Sequence, residues 1–307
     1  YFLKDLPDSS CGPATTAFAI RNFSVRHGLG DASVLDERTL MKLDIPPNVR
    51  LLQLLVNLER CRWLPKGFSK RYIMVNIPEF RMHVVSNDSL LWSSEVVVGK
   101  STSETAIFSG KMSRVVLNPY WNVPFKILKN ELLPRLKRDP GFLQRNHYEV
   151  VKPGNPLELV TAPVNWKTVN PTSFPYAIRQ QPGTWNALGR MKFLFPNNFD
   201  MYLHDTPSRQ LFSLRERAFS HGCVRISNPE RLLYKVLECD TAWTPQDITD
   251  TLATGREKVI DLKTKWPVFI LYFTAWADSM GRVCFRDDIY RHDSLMIREF
   301  YQNPSLK

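Results

Sequence analysis

The chain has 307 residues, 43% of them hydrophobic and 23% charged, enough apolar material for one large or two modest domains and too much for wholesale disorder. Lys and Arg number 41 against 30 Asp and Glu, and the formal charge of +11 suits a polyanionic partner such as nucleic acid, anionic lipid or an acidic polymer. No arginine-rich arm, RNA-binding signature or zinc-finger spacing accompanies that charge, which disfavours nucleic acid.

The first residues, "YFLKDLPDSS", hold neither an initiator Met nor a charged-then-apolar leader, so the sequence is expected to be a processed or truncated piece, with a membrane anchor open upstream. Residues 12–45 predict a small helical unit. "GPATTAFAIRNFSVRHGL" sets Ala17, Phe18, Ile20, Phe23 and Val25 on a broad apolar face, and Gly28 offers a stop. A second helix starts with Asp36 as its N-cap. "DIPPN" (44–48) breaks the chain, and "VRLLQLLVNLERCRWL" resumes as an apolar helix ending at Pro65.

After Lys70 the texture changes. "RYIMVNIPEFRMHVVSNDSLLWSSEVVVGK" is two alternating, β-branched runs joined by the turn signal Ser86-Asn87-Asp88, and "SGKMSRVVLNPYWNVP" adds a strand. Without strand–helix alternation, this predicts antiparallel β architecture. From Phe125 to about Pro182 the pattern is basic, helix-prone and then loop-like and proline-rich, which predicts a lid or cap over about 126–182. Strands resume in "ALGRMKFLFP" and "FDMYLHDTP". A helix follows from Pro229 with Asn228 as N-cap, "DITDTLATG" gives another, and two strands close around the turn at Asp278–Gly281. "VFILYFTAWA" (268–277), the longest apolar stretch, is too short to span a bilayer and reads as a buried strand.

The five cysteines, Cys11, Cys61, Cys223, Cys239 and Cys284, form no CxxC pair and no disulfide scaffold. Cys223 stands apart, in Ser220-His221-Gly222-Cys223 between a strand and a capped helix. A thiol is only a few per cent ionised at neutral pH and needs a base or an electropositive site to act as a nucleophile. His204 and His221 are the nearest bases in sequence, and fifteen residues between His204 and Ser220 are enough for a loop and a return to the same place. Gly222 frees the backbone for an unusual turn, whose N–H groups can meet a developing oxyanion. A metal site from His204, His221 and Cys223 would set His221 and Cys223 only two apart and lacks a fourth-ligand motif, so no metal and no cofactor are expected. The nucleophile reading prevails.

"SHGCVR" (220–225), preceded at this spacing by Leu203-His204-Asp205-Thr206, resembles the signature of the YkuD-type L,D-transpeptidase catalytic domain. "RYIMVNIPEFRMHVV", "VVVGK", "LNPYWNVP", "NALGRMKFLFPN" and "TAWADSMGRVCFRDDIY" extend the likeness, in order, to the large periplasmic subgroup typified by YcbB of enteric bacteria. "AIRNFSVRHGLGDASVLDERTLMKLDIP" is similar to a peptidoglycan-binding-like helical unit, with Leu35-Asp36 where Gly-Pro is usual. The resemblance implies an α+β fold: a predominantly antiparallel β catalytic domain (a YkuD-type β-sandwich) over 70–307, a helical or loop cap insertion, a helical unit over 1–48 and a linking helix over 49–69.

The same resemblance implies acyl transfer in the periplasm of a Gram-negative bacterium. Cys223 would be the nucleophile and His204 its base, with Ser220, His221 and Gly222 shaping the turn. The donor would be a tetrapeptide stem, attacked at the L-centre of diaminopimelate with release of D-alanine; a neighbouring stem would accept the acyl group in a 3→3 crosslink. Carbapenems would acylate the same sulfur, and other cell-wall synthesis proteins would be partners. Arg225 would hold the Cys223 loop, a substrate carboxylate or a structural ion pair; Asp205 would steer His204 or cap a turn. Tyr202, Trp121, Asn186 and Gly189 would line the groove or serve packing. The rivals are an L,D-carboxypeptidase or endopeptidase, with water as acceptor, and a non-catalytic wall-binding protein.

Overall fold

The computed structural model describes residues 12–302 except 66, 68, 239 and 241, with the backbone alone for 156, 157, 301 and 302. Cys11 and Cys239 therefore lie outside the described residues. Three helices come first: α1 (Pro13–Arg26), α2 (Glu37–Leu43) and α3 (Pro47–Arg62). Strands β1 (Arg71–Asn76), β2 (Arg81–Ser86), β3 (Ser89–Gly99), β4 (Phe108–Leu117) and β5 (Trp121–Asn122) follow. Next stand α4 (Phe125–Ile127), a π-helical turn (Leu128–Leu132), α5 (Leu133–Arg138) and α6 (Phe142–Arg145). Then come β6 (Tyr148–Lys152), β7 (Asn155–Leu159), β8 (Ala177–Gln180), β9 (Met191–Leu194), β10 (Tyr202–His204), β11 (Ala218–Ser220) and β12 (Val224–Ile226). The described chain closes with α7 (Pro229–Leu237), α8 (Pro245–Ala253), β13 (Lys258–Leu271), β14 (Ala275–Ala277), β15 (Val283–Phe285), α9 (His292–Ile297) and a π turn. No helix among the described residues is long and apolar enough to cross a membrane.

The contacts divide the chain into two compact units. The first takes Tyr1–Ser109, Phe212–Gly222 and Pro267–Lys307. In it β1 pairs antiparallel with β2 and β2 with β3, while β11 runs parallel to β3 and the end of β13 parallel to β1. The expected hairpin turn is present. Asn87 (φ 50°) and Asp88 (φ 59°) are both left-handed between paired Ser86 and Ser89, the primed two-residue turn whose twist matches that of its strands. Asp36 caps α2 as expected, accepting the Thr39 N–H at 2.7 Å. The apolar face drawn on α1 does not hold: Phe23 is buried, but Phe18 and Val25 are half exposed. At one edge of that helix the His27 ring stacks on Phe23 and Phe285. Helix α3 is tied to the segment after β13. Gln53 donates to the Thr274 and Arg286 carbonyls, Asn57 to Thr274 Oγ1, and Arg60 forms a buried ion pair with Asp293.

The second unit takes Gly110–Leu211 and Cys223–Trp266. Its main sheet runs β12–β10–β9–β4, with the start of β13 beside β4. Strands β4, β9 and β10 are antiparallel, but β10 and β12 are parallel, a departure from the antiparallel expectation. The chain between them must cross back before re-entering in the same direction. Helix α7 buries Leu232, Leu233, Val236 and Leu237. Asn228 occupies its N-cap position without capping it; its amide donates to Ser227 Oγ instead.

Residues 121–180 of this unit differ most from the sequence reading. They form a four-stranded antiparallel sheet, ordered β5–β8–β6–β7, not an irregular loop. Leu128, Leu132, Leu133 and Leu136 pack with Trp166 and Ile178 into a separate core. Pro134 lies inside a continuous helical run from Phe125 to Arg138, and the π turn that precedes it absorbs the missing N–H. Strands of two to five residues between prolines carry too little periodicity to be read from sequence.

Candidate active site

Period-two alternation builds the site. On β9, β10 and β12, Phe193, Leu203 and Val224 point into the core, and their registers pair them: Leu203 with Phe193 and Leu203 with Val224. Their neighbours therefore share the opposite face. There His204 lies between Lys192 on β9 and Arg225 on β12, both its Cα partners. One alternation back on β10 is Tyr202, and Cys223 directly precedes β12 on the same face as Arg225. A single-residue slip would move all five to the core side.

The contacts on this face are specific. The Tyr202 hydroxyl and N–H both donate toward the Cys223 sulfur, and the thiol faces the Asp200 carbonyl at 3.9 Å. The rings of Tyr202 and His204 meet edge-on, centroids 5.6 Å apart, and Lys192 Nζ sits 4.0 Å from the centre of the Tyr202 ring. His204 is 4% exposed. Its Nδ1 lies against the Asp205 backbone carbonyl, which can only accept, so this contact favours the proton on Nδ1 of the neutral ring.

Electrostatics keep this pair neutral at rest. Burial, with Arg225 and Lys192 nearby, depresses the His204 pKa to about 3, against the pull of the Asp205 and Leu188 carbonyls. Burial pushes the Cys223 thiol up, while Tyr202, Lys192 and Arg225 pull it down by less. Burial likewise raises the Tyr202 phenol and lowers Lys192. The resting state is a thiol beside an uncharged imidazole, set among cations.

The turn that ends at Gly222 is held within the first unit. Gly222 has φ 118°, where an L side chain is strained. Its N–H donates to Ser220 Oγ at 3.1 Å, so the oxyanion role expected of that amide does not match its engagement inside the turn. Its carbonyl accepts from Thr105 Oγ1 at 2.7 Å, and Thr105 Oγ1 in turn accepts the Gly99 N–H at 2.9 Å. Ser220 is buried and its carbonyl accepts the Lys100 N–H; His221 is exposed.

The remaining sequence candidates do different work. The Asp205 carboxylate turns away from His204, accepting the N–H groups of Arg190 and Thr206 and pairing with Arg209. Gly189 (φ 60°) lies so close that a Cβ there would stand 2.3 Å from that carboxylate. Asn186 is fully buried and donates to the carbonyls of Pro119, Gln180 and Gln181, a knot beneath the strands. Trp121 opens β5 and packs near Tyr148, in the second sheet. Sequence reasoning missed Lys192 and Thr105. A lone lysine within "RMKFLFP" was the available signal for the first; Thr105 had none. Cys61 and Cys284 are free thiols, the one exposed and the other buried. Among the described residues no three His, Cys, Asp or Glu side chains gather as a metal site would require.

The profile of the YkuD family, the L,D-transpeptidase catalytic domain, matches residues 70–265. A Haemophilus influenzae protein assigned as an L,D-transpeptidase is 34% identical over 242 residues, covering 78% of this chain; the chain spans about half of that relative's length, 48%. Among solved structures, the catalytic domain of an Enterococcus faecium L,D-transpeptidase acylated by ertapenem aligns at 10% identity and TM-score 0.30, over 67% of this chain and 99% of that one. L,D-transpeptidase 3 of Mycobacterium tuberculosis, in complex with a faropenem-derived adduct, aligns at 10% identity and TM-score 0.31, over 66% and 60%. Such weak overlaps add nothing to the two sequence matches, which suffice: the chain belongs to the YkuD family of L,D-transpeptidase catalytic domains.

Proposed function

We propose that the protein is a peptidoglycan L,D-transpeptidase of the bacterial periplasm that forms 3→3 crosslinks through a Cys223 thioester. The observation that carries this reading is the single face of β9, β10 and β12. It brings a thiol, its hydroxyl partner Tyr202 and a neutral imidazole into one row.

In the first step the Cys223 sulfur bonds to the carbonyl carbon at the L-centre of diaminopimelate in a donor tetrapeptide. The thiol proton passes to the His204 imidazole, and from there to the departing nitrogen as the C–N bond breaks and D-alanine leaves. In the second step the side-chain amine of a neighbouring stem attacks the thioester, giving up its proton to the same imidazole, and the thiol is restored. Tyr202 donates to the sulfur and stabilises its developing charge; Lys192 and Arg225 do so through space. A β-lactam carbonyl would enter by the first step and stay.

The test is intact-mass spectrometry after exposure to a carbapenem, paired with analysis of products from tetrapeptide stems. One adduct in the wild type, none in Cys223→Ala and a crosslinked dimer of stems is the expected result. An adduct that persists in Cys223→Ala refutes the nucleophile, and hydrolysed stems without dimer would make water the acceptor.

A further inference from the structure

Lys192 belongs to no motif, yet it stands opposite His204 on the reactive face, with Arg225 opposite on the other side. Among the described residues neither cation forms a direct ion pair with a carboxylate, and Glu257 acts on Lys192 only through space. The nearest candidates are engaged elsewhere: Asp205 with Arg209 and two backbone N–H groups, and Glu257 with the Tyr120 N–H at 2.8 Å. The Arg225 Nε–H is buried and donates to no partner, while the Lys192 ammonium rests on the Tyr202 ring, an arrangement that leaves N–H groups to give. Cations without a direct ion pair in a half-buried site are unfavourable until an anion arrives.

We propose that Lys192 and Arg225 together form a carboxylate subsite beside Cys223, with Lys192 a substrate-binding residue; this rests on the function proposed above. A guanidinium supplies a planar fork and an ammonium a point charge, a pairing that suits a carboxylate held near the scissile bond. A donor stem offers two such groups: the terminal carboxylate of the departing D-alanine and the side-chain carboxylate of diaminopimelate.

Three donor peptides separate these sources: the native tetrapeptide, its C-terminal amide, and the peptide with the diaminopimelate side-chain carboxylate amidated. Release of D-alanine or its amide is followed with wild type, Lys192→Met and Lys192→Arg. In the wild type one amidated donor should lose about 10- to 100-fold in kcat/KM, the usual scale for a lost charged hydrogen bond, and which one loses it names the carboxylate. Beyond any loss common to all donors through the sulfur, Lys192→Met should lose about as much on the native donor but little more on that amidated donor, and Lys192→Arg should recover most of it. Equal turnover of all three donors by the wild type overturns the subsite, and this comparison stands even if Lys192→Met fails to fold. So does an equal loss on all three donors in Lys192→Met, the signature of a lysine that serves the sulfur or the fold and not a carboxylate. A wild type that accepts no donor and forms no carbapenem adduct refutes the proposed function itself.

Discussion

Acid should leave His204 able to take up a proton. An ordinary imidazole, with pKa about 6.5, is only about 3% neutral at pH 5, so a general base of that kind would slow acylation by roughly 30-fold between pH 7 and 5. In His204, burial and the cations Arg225 and Lys192 hold the pKa at about 3, which leaves about 99% of it neutral at pH 5. The thiol, raised by burial, stays protonated across the same window and contributes no change of its own. The second-order rate of carbapenem acylation, read by stopped flow, should therefore vary by no more than about threefold from pH 7 to 5. A thirtyfold fall centred near pH 6.5 would refute this account of His204. A tenfold rise per pH unit would mean attack by free thiolate and would remove the imidazole from the role. The same shift has a cost in folding. Because the folded pKa lies below the unfolded one, its stability contribution is fully present above about pH 6.5 and declines as pH falls toward 3. By pH 5 the loss is about 2 kcal/mol, and urea unfolding of His204→Asn should lack that increment.

Other consequences are equally direct. Gly222→Ala forces a side chain to φ 118°, and should lose about 1–3 kcal/mol and most adduct formation; unchanged melting and acylation would show that the turn relaxes. Thr105→Val removes the hydroxyl that joins the Gly222 carbonyl to the Gly99 N–H, and should cost about 1–3 kcal/mol and slow acylation, with Thr105→Ser restoring both. A serine variant no better than valine would assign the effect to packing. Leu136→Ala, in the separate core of the insertion, should cost about 2–5 kcal/mol and raise hydrogen exchange across residues 125–182; exchange spread evenly over the unit would show that this region has no stability of its own.

Several features were legible in the sequence because each depends on neighbours along the chain. Asp36 before Glu37-Arg38-Thr39 caps a helix wherever it stands, and Asn87-Asp88 between alternating runs makes a primed turn by its own left-handed preference. The spacing from His204 to Ser220-His221-Gly222-Cys223 marks the chemistry and the family in the same way. Other features were decided by strand register, which brings together residues distant in sequence. Pairing of β9, β10 and β12 sets Lys192, His204 and Arg225 side by side, whereas no local pattern distinguishes that lysine from a solvated one. It is also tertiary packing that turns the Asp205 carboxylate away from His204 and toward Arg209, and that folds the proline-rich insertion around its own leucines. Local preference acts over a few residues along the chain; the charge state of a buried imidazole depends on what every packed neighbour brings to it.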